Sequence, residues 1–343
     1  MANRNEVAKR AGVSPAVVSY VLNNSNYVSE EKRKAVLQAV EELDYYPNYF
    51  ARSLKKRNGH QLLMLSDDMR NDVFLELAYE MENYAFEKGY YITVGFCSAE
   101  KIPFYTNMLL SRQCDGLFVA NNMFSADQLE LIAKKVPTVL FQTKLYENLS
   151  EDISVVSGDI ADGMEQLVHH LVDCKGYRRL VYIGSTYTKR MPDEKTALGS
   201  GLRLKGFLEA AKKRDLLLDR DVMVVSSLIG SQENQYSLDA YVDKALTLWN
   251  PKEHTVFVVA NDSEAARCIS LLQRRGYSVP QDIAVAGFGG TSSGCITNPQ
   301  LTTVSYPKKE IAKAGIDILL SDRQDRKRVH LQYPMTLIER GST

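Results

Sequence analysis

One short motif in the sequence has the spacing of a catalytic nucleophile. Residues 290–294 read Gly-Thr-Ser-Ser-Gly, the Gly-x-Ser-x-Gly pattern of hydrolases, and Asp317 and His330 follow in the order of a catalytic triad. That motif requires a helix directly after Ser292, because the sharp turn into the helix exposes the hydroxyl. Residues 295–299 instead read as a loop. We interpret the match as chance and keep a serine esterase only as an alternative.

Two other kinds of chemistry are excluded by spacing. The adjacent His169 and His170 face away from each other on a helix and do not form a metal pair. The run Gly287-Phe288-Gly289 lacks the third glycine of a dinucleotide-binding loop. The five cysteines include no Cys-x-x-Cys pair, which fits reduced thiols: Cys97, Cys114, Cys174, Cys268 and Cys295. The sequence therefore predicts a protein that is not an enzyme and that needs no cofactor and no metal.

From residue 61 onward, continuous apolar runs alternate with amphipathic helical stretches. The predicted strands are Leu62–Leu65, Ile92–Phe96, Gly116–Val119, Thr138–Phe141, Val155–Val156, Leu180–Ile183, Val222–Val225, Val256–Ala260 and Ile283–Ala286. The predicted helices include 74–88, 160–172, 202–213, 239–249 and 263–275. This alternation is typical of parallel sheets covered by helices on both faces. Nine strands fit two doubly wound α/β subdomains with a cleft between them better than one open sheet.

Polar and aromatic residues follow several of these strands. Ligands of such sheets bind beyond the carboxyl ends of the strands, so these residues are candidates for a small-molecule site. They are Asp67, Asn121, Gln142, Tyr187, Asn261, Asp262, Phe288 and Gly290. Each has a structural alternative, because an Asp or Asn here also forms turns or caps the next helix.

The first 46 residues predict a three-helix headpiece containing a helix-turn-helix. Asn3 and Glu6 have the spacing of a capping box, and Gly12 suits the left-handed backbone after a helix. Ser14 and Pro15 then begin a second helix, and Ser29 is expected to cap a third. The second helix of such a motif enters the DNA major groove, with its outward residues toward the base edges. We expect these outward residues to be Pro15, Ala16, Ser19, Tyr20 and Asn23.

Charge separates this headpiece from the rest of the chain. Residues 1–57 hold ten Lys or Arg and six Asp or Glu, a net charge of +4, whereas the whole chain has a net charge of 0. The remainder therefore carries −4. A basic headpiece on an acidic body favours a polyanionic partner at one end of the chain only. The aromatic and basic stretch 45–57 fits a helix that forms on DNA, with Leu54 in the minor groove and Arg52 on phosphate.

Two ordered motifs identify a family. The first comprises Val7-Ala8, Ala11-Gly12-Val13-Ser14, Val18-Ser19, Val21-Leu22-Asn23-Asn24 and Val28-Ser29. The second comprises Leu43, Tyr46-Pro47-Asn48 and Ala51-Arg52-Ser53-Leu54. On these motifs the chain resembles the lactose-repressor (LacI/GalR) family of bacterial transcriptional regulators. The resemblance continues through Asp159 to Gly163, Arg203 to Phe207, Asn261-Asp262, Val279-Pro280 and Leu301 to Val304.

The resemblance implies three segments: a DNA-binding headpiece at 1–46, a hinge helix or linker at 47–58, and an effector-binding and dimerisation domain at 59–343. It implies a periplasmic-binding-protein-like domain whose N-subdomain spans 59–157 and 305–328 and whose C-subdomain spans 158–304 and 329–343. The chain would cross between subdomains near Ser157, Val304 and Val329. The implied partners are a pseudo-palindromic DNA operator, a small effector such as a sugar, and a second copy of the chain.

The residues implied for each function extend the candidates above. The predicted DNA-binding set is Asn5, Ser14, Pro15, Ala16, Val17, Ser19, Tyr20, Asn23, Asn24, Tyr46, Asn48, Ala51, Arg52, Leu54 and Lys55. The predicted effector-binding set is Asp67, Phe74, Asn121, Gln142, Asp159, Tyr187, Arg203, Asn261, Asp262, Phe288, Gly290 and Tyr306. By resemblance, Arg203 and Asn261 would hydrogen-bond ligand oxygens, and Phe74 would form an apolar wall.

The sequence departs from the family pattern at two places. Val17 and Tyr20 stand where the family commonly has Thr and Arg, and Tyr20 cannot read guanine in the bidentate manner of Arg. A ligand-binding module with degenerate DNA specificity is therefore the second hypothesis. Gly289-Gly290 replaces the usual acidic pair that bonds sugar hydroxyls.

The sequence shows neither a signal-peptide core nor an apolar run near the roughly 18–20 residues of a membrane span, so we expect a cytoplasmic protein.

Overall fold

The structure is a computed structural model that describes residues 2–45, 59–66, 71–111, 114–120, 124–141, 149, 153–184, 199–226, 238–321 and 328–343. The chain divides into two compact units, a headpiece within residues 1–59 and a core within residues 60–343. Each is described by itself below.

The described headpiece consists of α1 (Arg4–Arg10), α2 (Pro15–Asn23) and α3 (Glu30–Glu42). Its three helices pack through a small apolar centre made of Val7, Ala8, Val18, Val21, Val36 and Ala39. The spacing of these residues places them on one face of each helix, as the amphipathic pattern predicts. The described part of the headpiece is therefore a three-helix unit with a helix-turn-helix at α1 and α2.

Local capping explains where α1 and α2 begin and end. The Asn3 side chain accepts hydrogen bonds from the backbone of Asn5 and Glu6, and the Glu6 carboxylate accepts one from the Asn3 backbone, which confirms the capping box. Gly12 has φ +65°, the left-handed conformation expected after α1. The Ser14 hydroxyl accepts a hydrogen bond from Val17. Ser29 occupies the N-cap position of α3 as predicted, but its side chain makes no capping hydrogen bond.

The first sheet of the core has the strand order β11-β5-β4-β3-β1-β2, and every neighbouring pair is parallel. Its strands are β1 (Gln61–Ser66), β2 (Tyr91–Phe96), β3 (Gly116–Ala120), β4 (Thr138–Phe141), β5 (Ile153–Gly158) and β11 (His330–Tyr333). The second sheet has the order β12-β10-β9-β8-β6-β7, in which β12 is antiparallel to β10 and the other pairs are parallel. Its strands are β6 (Arg179–Gly184), β7 (Val222–Ser226), β8 (Thr255–Val259), β9 (Ile283–Gly289), β10 (Thr302–Ser305) and β12 (Thr336–Ile338).

Helices connect the strands of both sheets. In the core they are α4 (Asp72–Glu87), α5 (Ile102–Leu110), α6 (Ala126–Ala133), α7 (Ile160–His169), α8 (Gly199–Lys212), α9 (Leu238–Thr247), α10 (Asp262–Arg274) and α11 (Lys308–Leu320). A π-helical turn (His170–Cys174) continues α7. All nine strands predicted from the sequence are confirmed. Among the described helices, none is long and apolar enough to cross a membrane.

The chain passes between the two sheets three times. It leaves the first sheet after β5, returns after β10 through Tyr306 and Pro307, and leaves again between β11 and β12. The expected third crossing near Val329 lies too early. Residues His330–Tyr333 pair in parallel with β5, so the chain stays in the first sheet through Tyr333. The short alternating sequence of this edge strand hides it from a search for continuous apolar runs.

Candidate functional site

The exposed face of α2 is the candidate DNA interface. Ser14, Pro15, Ala16 and Tyr20 are exposed, whereas Val18 on the opposite face is fully buried. Tyr20 keeps 37% of its surface exposed. The arrangement leaves a short polar and aromatic helix face that fits the width of the major groove.

Other predicted DNA-binding residues have structural partners or a different setting. Asn5 is exposed on α1, and Val17 is partly buried against the headpiece core. Ser19 accepts a hydrogen bond from Arg4 at 3.0 Å. Asn24 ends α2 with φ 47° and accepts a hydrogen bond from Arg33 at 2.8 Å.

Asn23 is the last residue of α2. Tyr46, Asn48, Ala51, Arg52, Leu54 and Lys55 lie outside the described residues.

The candidate effector site lies in the core, where strand ends of both sheets meet. An aromatic wall runs across this place, and it consists of Phe74 in α4, Phe141 at the end of β4, Phe288 near the end of β9, and Tyr306 in the second crossing. Neighbouring rings contact edge to face, with centroids 6.2 Å apart for Phe74 and Phe141, 5.6 Å for Phe141 and Tyr306, and 5.7 Å for Tyr306 and Phe288. The wall therefore joins the first sheet to the second.

Arg203 extends this wall with a positive charge. The residue lies in α8, and its guanidinium carbon is 5.7 Å from the centroid of the Phe288 ring. Stacking on an aromatic face is a common setting for Arg, because the guanidinium is planar and weakly hydrated. Its Nε atom is buried and has no hydrogen-bond partner among the described residues.

Tyr182 adds a second buried polar group. Its ring packs against Phe207 with centroids 5.3 Å apart, and only 1% of the residue is exposed. Its hydroxyl likewise lacks a hydrogen-bond partner within the described part of the chain. Burial raises the pKa of Tyr182 to about 12, while the charge of Arg203 acts in the opposite direction. The hydroxyl is therefore neutral at physiological pH and is available as a hydrogen-bond donor.

Tyr306 interacts electrostatically with Arg203. Burial raises the pKa of Tyr306, and Arg203 opposes that shift. Buried polar atoms are almost always hydrogen-bonded in native proteins, and the exceptions call for a missing partner such as a ligand or water. Arg203 and Tyr182 are therefore candidates for contact with a ligand, with water or with residues outside the described ones.

Asp262 has a different surrounding from that expected of a ligand-binding residue. It is 1% exposed, and both of its oxygens accept hydrogen bonds from the protein. Thr303 donates to Oδ1 at 2.6 Å, and the backbone N–H of Thr291 donates to Oδ2 at 2.7 Å. Burial raises its pKa, and the hydrogen bonds from Thr303 and Thr291 oppose the rise. In this structure Asp262 ties the loop after β9 to β10.

Asn261 and Asp159 both serve as helix caps. The Asn261 side-chain oxygen accepts from the backbone of Glu264 at 2.9 Å and begins α10. The Asp159 carboxylate accepts from the backbone of Asp162 at 3.0 Å and begins α7. Each keeps further hydrogen-bonding capacity, because an Asn side chain also has two N–H donors and a carboxylate accepts several bonds. Their part in binding an effector stays a prediction.

Gly290 is placed by backbone geometry. It has φ +62°, and a Cβ atom there would overlap Ser305. Its carbonyl accepts a hydrogen bond from the Lys308 ammonium at 2.8 Å. The glycine thus allows the loop after β9 to lie directly against the end of β10.

A polar rim connects the two sides of the core beside this loop, and it consists of Asp72 and Glu76 from α4 with Ser263, Ser292 and Ser293. The Asp72 carboxylate accepts hydrogen bonds from Ser263, at 3.0 Å, and from Ser293. The Glu76 carboxylate accepts from the Ser292 backbone at 2.7 Å. It also pairs with Lys308, which is largely buried, at 3.1 Å. The rim holds the start of α4 against the loop after β9.

Sequence reasoning missed some of these residues. Tyr182 and Phe141 sit in apolar strands and look like ordinary core residues in the sequence. Asp72 and Glu76 follow the pattern of a solvated helix face. Of the predicted effector-binding residues, Asp67, Asn121, Gln142 and Tyr187 lie outside the described residues.

The hydrolase-like motif does not form the expected strand-turn-helix. Residues Ser292–Gly294 make a three-residue 3₁₀ turn, and the next helix begins only at Lys308. Across the described part of the chain, His, Cys, Asp and Glu side chains form no group of three that could hold a metal ion.

The chain is similar to known regulatory proteins along its whole length. The family of bacterial regulatory proteins, lacI family, matches residues 5–48, and the periplasmic binding protein-like domain matches residues 168–343. The transcriptional repressor PurR of Aliivibrio fischeri is 30% identical over 97% of this chain and 96% of its own. The ribose operon repressor of Escherichia coli is 30% identical over all of both chains.

Comparison of structures gives the same fold. The lac repressor dimer bound to operator and the anti-inducer ONPF superposes with a TM-score of 0.77 at 21% identity, covering 100% of this chain and 99% of that one. The relatives are repressors rather than enzymes, in agreement with the sequence prediction. With its helix-turn-helix headpiece, its two-sheet core and these relatives, the chain belongs to the LacI family of bacterial transcriptional regulators.

Proposed function

We propose that this protein is a sequence-specific repressor whose operator affinity is controlled by a small molecule bound in the core. One observation carries the proposal. The chain joins a helix-turn-helix with an exposed α2 face to a core where Arg203 and Tyr182 hold buried polar atoms that lack a partner in the described residues. A DNA reader and a ligand receptor in one chain make a regulator.

The DNA reader supports sequence-specific binding through α2. Tyr20 and Ala16 are exposed on it and would meet base edges in the major groove. Tyr20 offers one hydroxyl and a ring rather than the fork of Arg, so we expect a half-site that differs from the guanine-centred sites read by Arg. The segment 47–58, with Leu54 and Arg52, would act as a hinge that folds on the minor groove.

The effector is a sugar or a related metabolite in this proposal. The ribose operon repressor, whose name points to a sugar, is 30% identical to the chain throughout. The aromatic wall would contact the apolar face of such a molecule, and Arg203 and Tyr182 would donate hydrogen bonds to its oxygens. Asn261, Asp159 and the undescribed Asp67, Asn121, Gln142 and Tyr187 would complete the site.

A second copy of the chain is the expected partner in solution. Exposed apolar side chains form a stripe on α4 and an adjoining edge on β2: Leu75, Tyr79, Phe86, Val94 and Phe96. The strand β2 ends its sheet, so its outer edge is unpaired within the described sheet. Burial of this surface in a homodimer would place two headpieces on a pseudo-palindromic operator in the cytoplasm.

Ligand binding and DNA binding would be coupled through the hinge. Closing the core around an effector changes how the two N-subdomains meet, and this would order or melt the hinge segments. A coupling free energy of roughly 1–3 kcal/mol is usual for such linkage. A crosslink between the two hinges of a dimer should then make operator affinity insensitive to effector, and a ligand response that survives the crosslink would contradict the hinge model.

Selection of bound duplexes from a random DNA pool at near-physiological salt tests the central proposal. We expect enrichment of a palindrome with half-sites about one helical turn apart, as for a dimeric helix-turn-helix protein. The Tyr20→Ala protein should bind with a similar salt dependence but enrich a different or weaker sequence, because phosphate contacts remain. Binding without any enriched sequence would instead support the module with degenerate DNA specificity.

A further inference from the structure

The end of α7 and the turn that follows it carry a thiol, an imidazole and a carboxylate linked in series. The Cys174 Sγ atom lies 3.8 Å from Nε2 of His169, and Nδ1 of the same ring lies 2.7 Å from Oδ2 of Asp173. All three side chains are reachable from solvent, and Cys174 is exposed. Cysteine nucleophiles are activated by a neighbouring base that a third polar group orients, which is the order found here.

The π-helical turn brings Cys174 onto the same face as His169. In this turn the backbone N–H of Lys175 donates to the His170 carbonyl, five residues earlier, at 3.0 Å. In an α-helix each residue turns the chain by about 100°, so residues five apart differ in direction by about 140°. The π turn closes after five residues instead, so residues 169 and 174 lie nearly one above the other.

Asp173 fixes the protonation of the His169 ring. Its carboxylate also accepts a hydrogen bond from Arg214 Nε at 2.7 Å. The hydrogen bonds from His169 and Arg214 hold the pKa of Asp173 below its ordinary value, so the group is a carboxylate and only accepts hydrogen bonds. Nδ1 of the ring must then carry the proton. In the neutral imidazole the other nitrogen is an acceptor, and Nε2 faces the Cys174 sulfur.

The arrangement differs from a metal site and from the second exposed cysteine. The ring of His169 turns one nitrogen to Asp173 and the other to Cys174, so the three side chains form a chain and do not converge on one ion. The other exposed thiol, Cys295, lies 3.3 Å from Nη2 of Arg340. A guanidinium keeps its protons in proteins, so Arg340 cannot take a proton from that thiol. Of these two cysteines, Cys174 is therefore the one with a base as its described neighbour.

We propose that Cys174 is a site of reversible modification by thiol–disulfide exchange, with His169 as the base and a low-molecular-weight disulfide as the second reactant. The thiol proton moves to Nε2 of His169, and the thiolate attacks one sulfur of the disulfide, because the thiolate is the nucleophile. A new S–S bond joins Cys174 to one half of the disulfide as the old S–S bond breaks. The other half leaves as a thiolate and takes the proton from His169. The Cys174 sulfur is thus oxidised, the leaving sulfur is reduced, and an excess of small thiol reverses the exchange.

Glutathione disulfide is the probe for this reaction. The full-length Cys295→Ser protein keeps Cys174 as its exposed cysteine, and intact-mass spectrometry near neutral pH would follow the mixed disulfide. We expect one adduct, which peptide mapping places at Cys174 and excess dithiothreitol removes. In this background His169→Gln should lower the rate constant at least about tenfold, since a positioned base typically contributes about 10²-fold or more. His330→Gln, at an exposed histidine of the first sheet, is the matched control and should leave the rate unchanged.

Asp173→Asn and high pH separate the action of the base from a change in access to the sulfur. The amide can present an N–H group to Nδ1 and so favour the tautomer with the proton on Nε2, and we expect a loss of at least about tenfold near neutral pH. At about pH 10 an ordinary thiol, with a pKa near 8.5, is already ionised without a base. The Cys295→Ser parent and both variants should then react within about threefold of one another.

Four results would overturn the inference. They are the absence of an adduct at Cys174, equal rates for the parent and His169→Gln near neutral pH, and a difference between them that persists at high pH, which would mean that the substitution changes access. The fourth concerns the Cys174→Ser protein, which keeps Cys295 and should react at least about tenfold more slowly than the Cys295→Ser protein. Equal or faster reaction of Cys295 would show that exposure, and not the neighbouring base, decides the rate.

Discussion

At the scale of single residues, Asp262 has a structural role that its hydrogen bonds define. Its carboxylate is buried, and its hydrogen bonds to Thr291 and Thr303 fix the loop after β9 against β10. Its position after β8 also makes Asp262 one of the predicted effector-binding residues, and that role stays a prediction. The structural role of Asp262 is therefore tested by measuring the free energy of unfolding rather than ligand binding.

We predict that Asp262→Asn lowers the free energy of unfolding by about 1–3 kcal/mol, because an N–H group replaces one of the two accepting oxygens. Burial raises the pKa of Asp262 in the folded state above its value in the unfolded chain. Its contribution to stability is then fully present at a pH below the unfolded pKa and is lost as the pH rises through the folded pKa. The deficit of the variant should therefore shrink as the pH rises.

The measurement is urea unfolding from about pH 4, near the ordinary pKa of an aspartate, to about pH 8, followed by the fluorescence of the single Trp249. The exposed Asp127→Asn variant is the control and should show no such trend. A deficit that grows with pH would mean that the hydrogen bonds outweigh burial and lower the pKa.

The loop glycines provide a second test at this scale. Gly290→Ala should cost about 1–3 kcal/mol from the clash with Ser305 alone, with further strain from φ +62°. Gly276→Ala is matched in backbone conformation, at φ +88°, but has open space around the added methyl group. It should cost only about 1–2 kcal/mol of backbone strain. Equal losses in urea unfolding would show that the contact with Ser305 relaxes without cost.

At the scale of elements, the sequence predicts nine of the twelve described strands and misses β10, β11 and β12. Most of the nine are buried apolar runs, because parallel strands are covered on both faces, whereas β2 lies at a sheet edge and is largely exposed. The strand β10 is buried, but its sequence Thr-Thr-Val-Ser contains no continuous apolar run. The strands β11 and β12 have four and three residues, alternate in polarity and lie at sheet edges. Such strands contain no continuous apolar run and were not predicted. Because β11 was missed, the third crossing was expected near Val329 instead of after Tyr333.

The sequence predicts those residues of the candidate site that follow the carboxyl ends of strands. Phe288 follows that rule, and the family resemblance adds Phe74 and Arg203. Tyr182 was missed because its candidacy rests on a buried hydroxyl without a hydrogen-bond partner among the described residues. The sequence alone does not show which hydroxyl groups are buried or paired. The positions of Asp72 and Glu76 opposite the loop after β9 depend on how the two subdomains meet, and no local pattern encodes that.

The polar rim leads to a prediction about α4 and the loop it holds. Glu76→Gln removes the ion pair with Lys308 and weakens the hydrogen bond from the Ser292 backbone. We expect amide exchange in residues 290–293 to become about tenfold faster, which corresponds to a loss of about 1.4 kcal/mol in local opening free energy. Hydrogen exchange followed by mass spectrometry measures this. Glu87→Gln, at the exposed end of the same helix, should change nothing there, and unchanged protection in Glu76→Gln would show that the rim does not hold the loop.

At the scale of the whole molecule, the exposed apolar edge of the first sheet predicts self-association. Val94 and Phe96 alternate on one face of β2 and remain exposed beside the stripe on α4. Placing Lys at both positions would bury charge in a homodimer interface. We expect the double variant to sediment as a monomer at micromolar concentration and to lose at least about tenfold in operator affinity, since one half-site no longer assists the other.

Leu131→Lys provides the control, because Leu131 is a similarly exposed apolar residue on α6. It should leave both sedimentation and operator affinity unchanged. A double variant that remains dimeric would place the interface elsewhere on the molecule.

The three passages of the chain between the sheets also bear on how this protein can be recombined. Each subdomain is assembled from separated stretches of sequence, so no single cut in the gene releases one of them whole. The headpiece, in contrast, is one uninterrupted stretch. A single crossover in a gene fusion can therefore transfer the DNA-binding specificity of the headpiece to another core. The ligand specificity, in contrast, has to be changed by substitutions within the core.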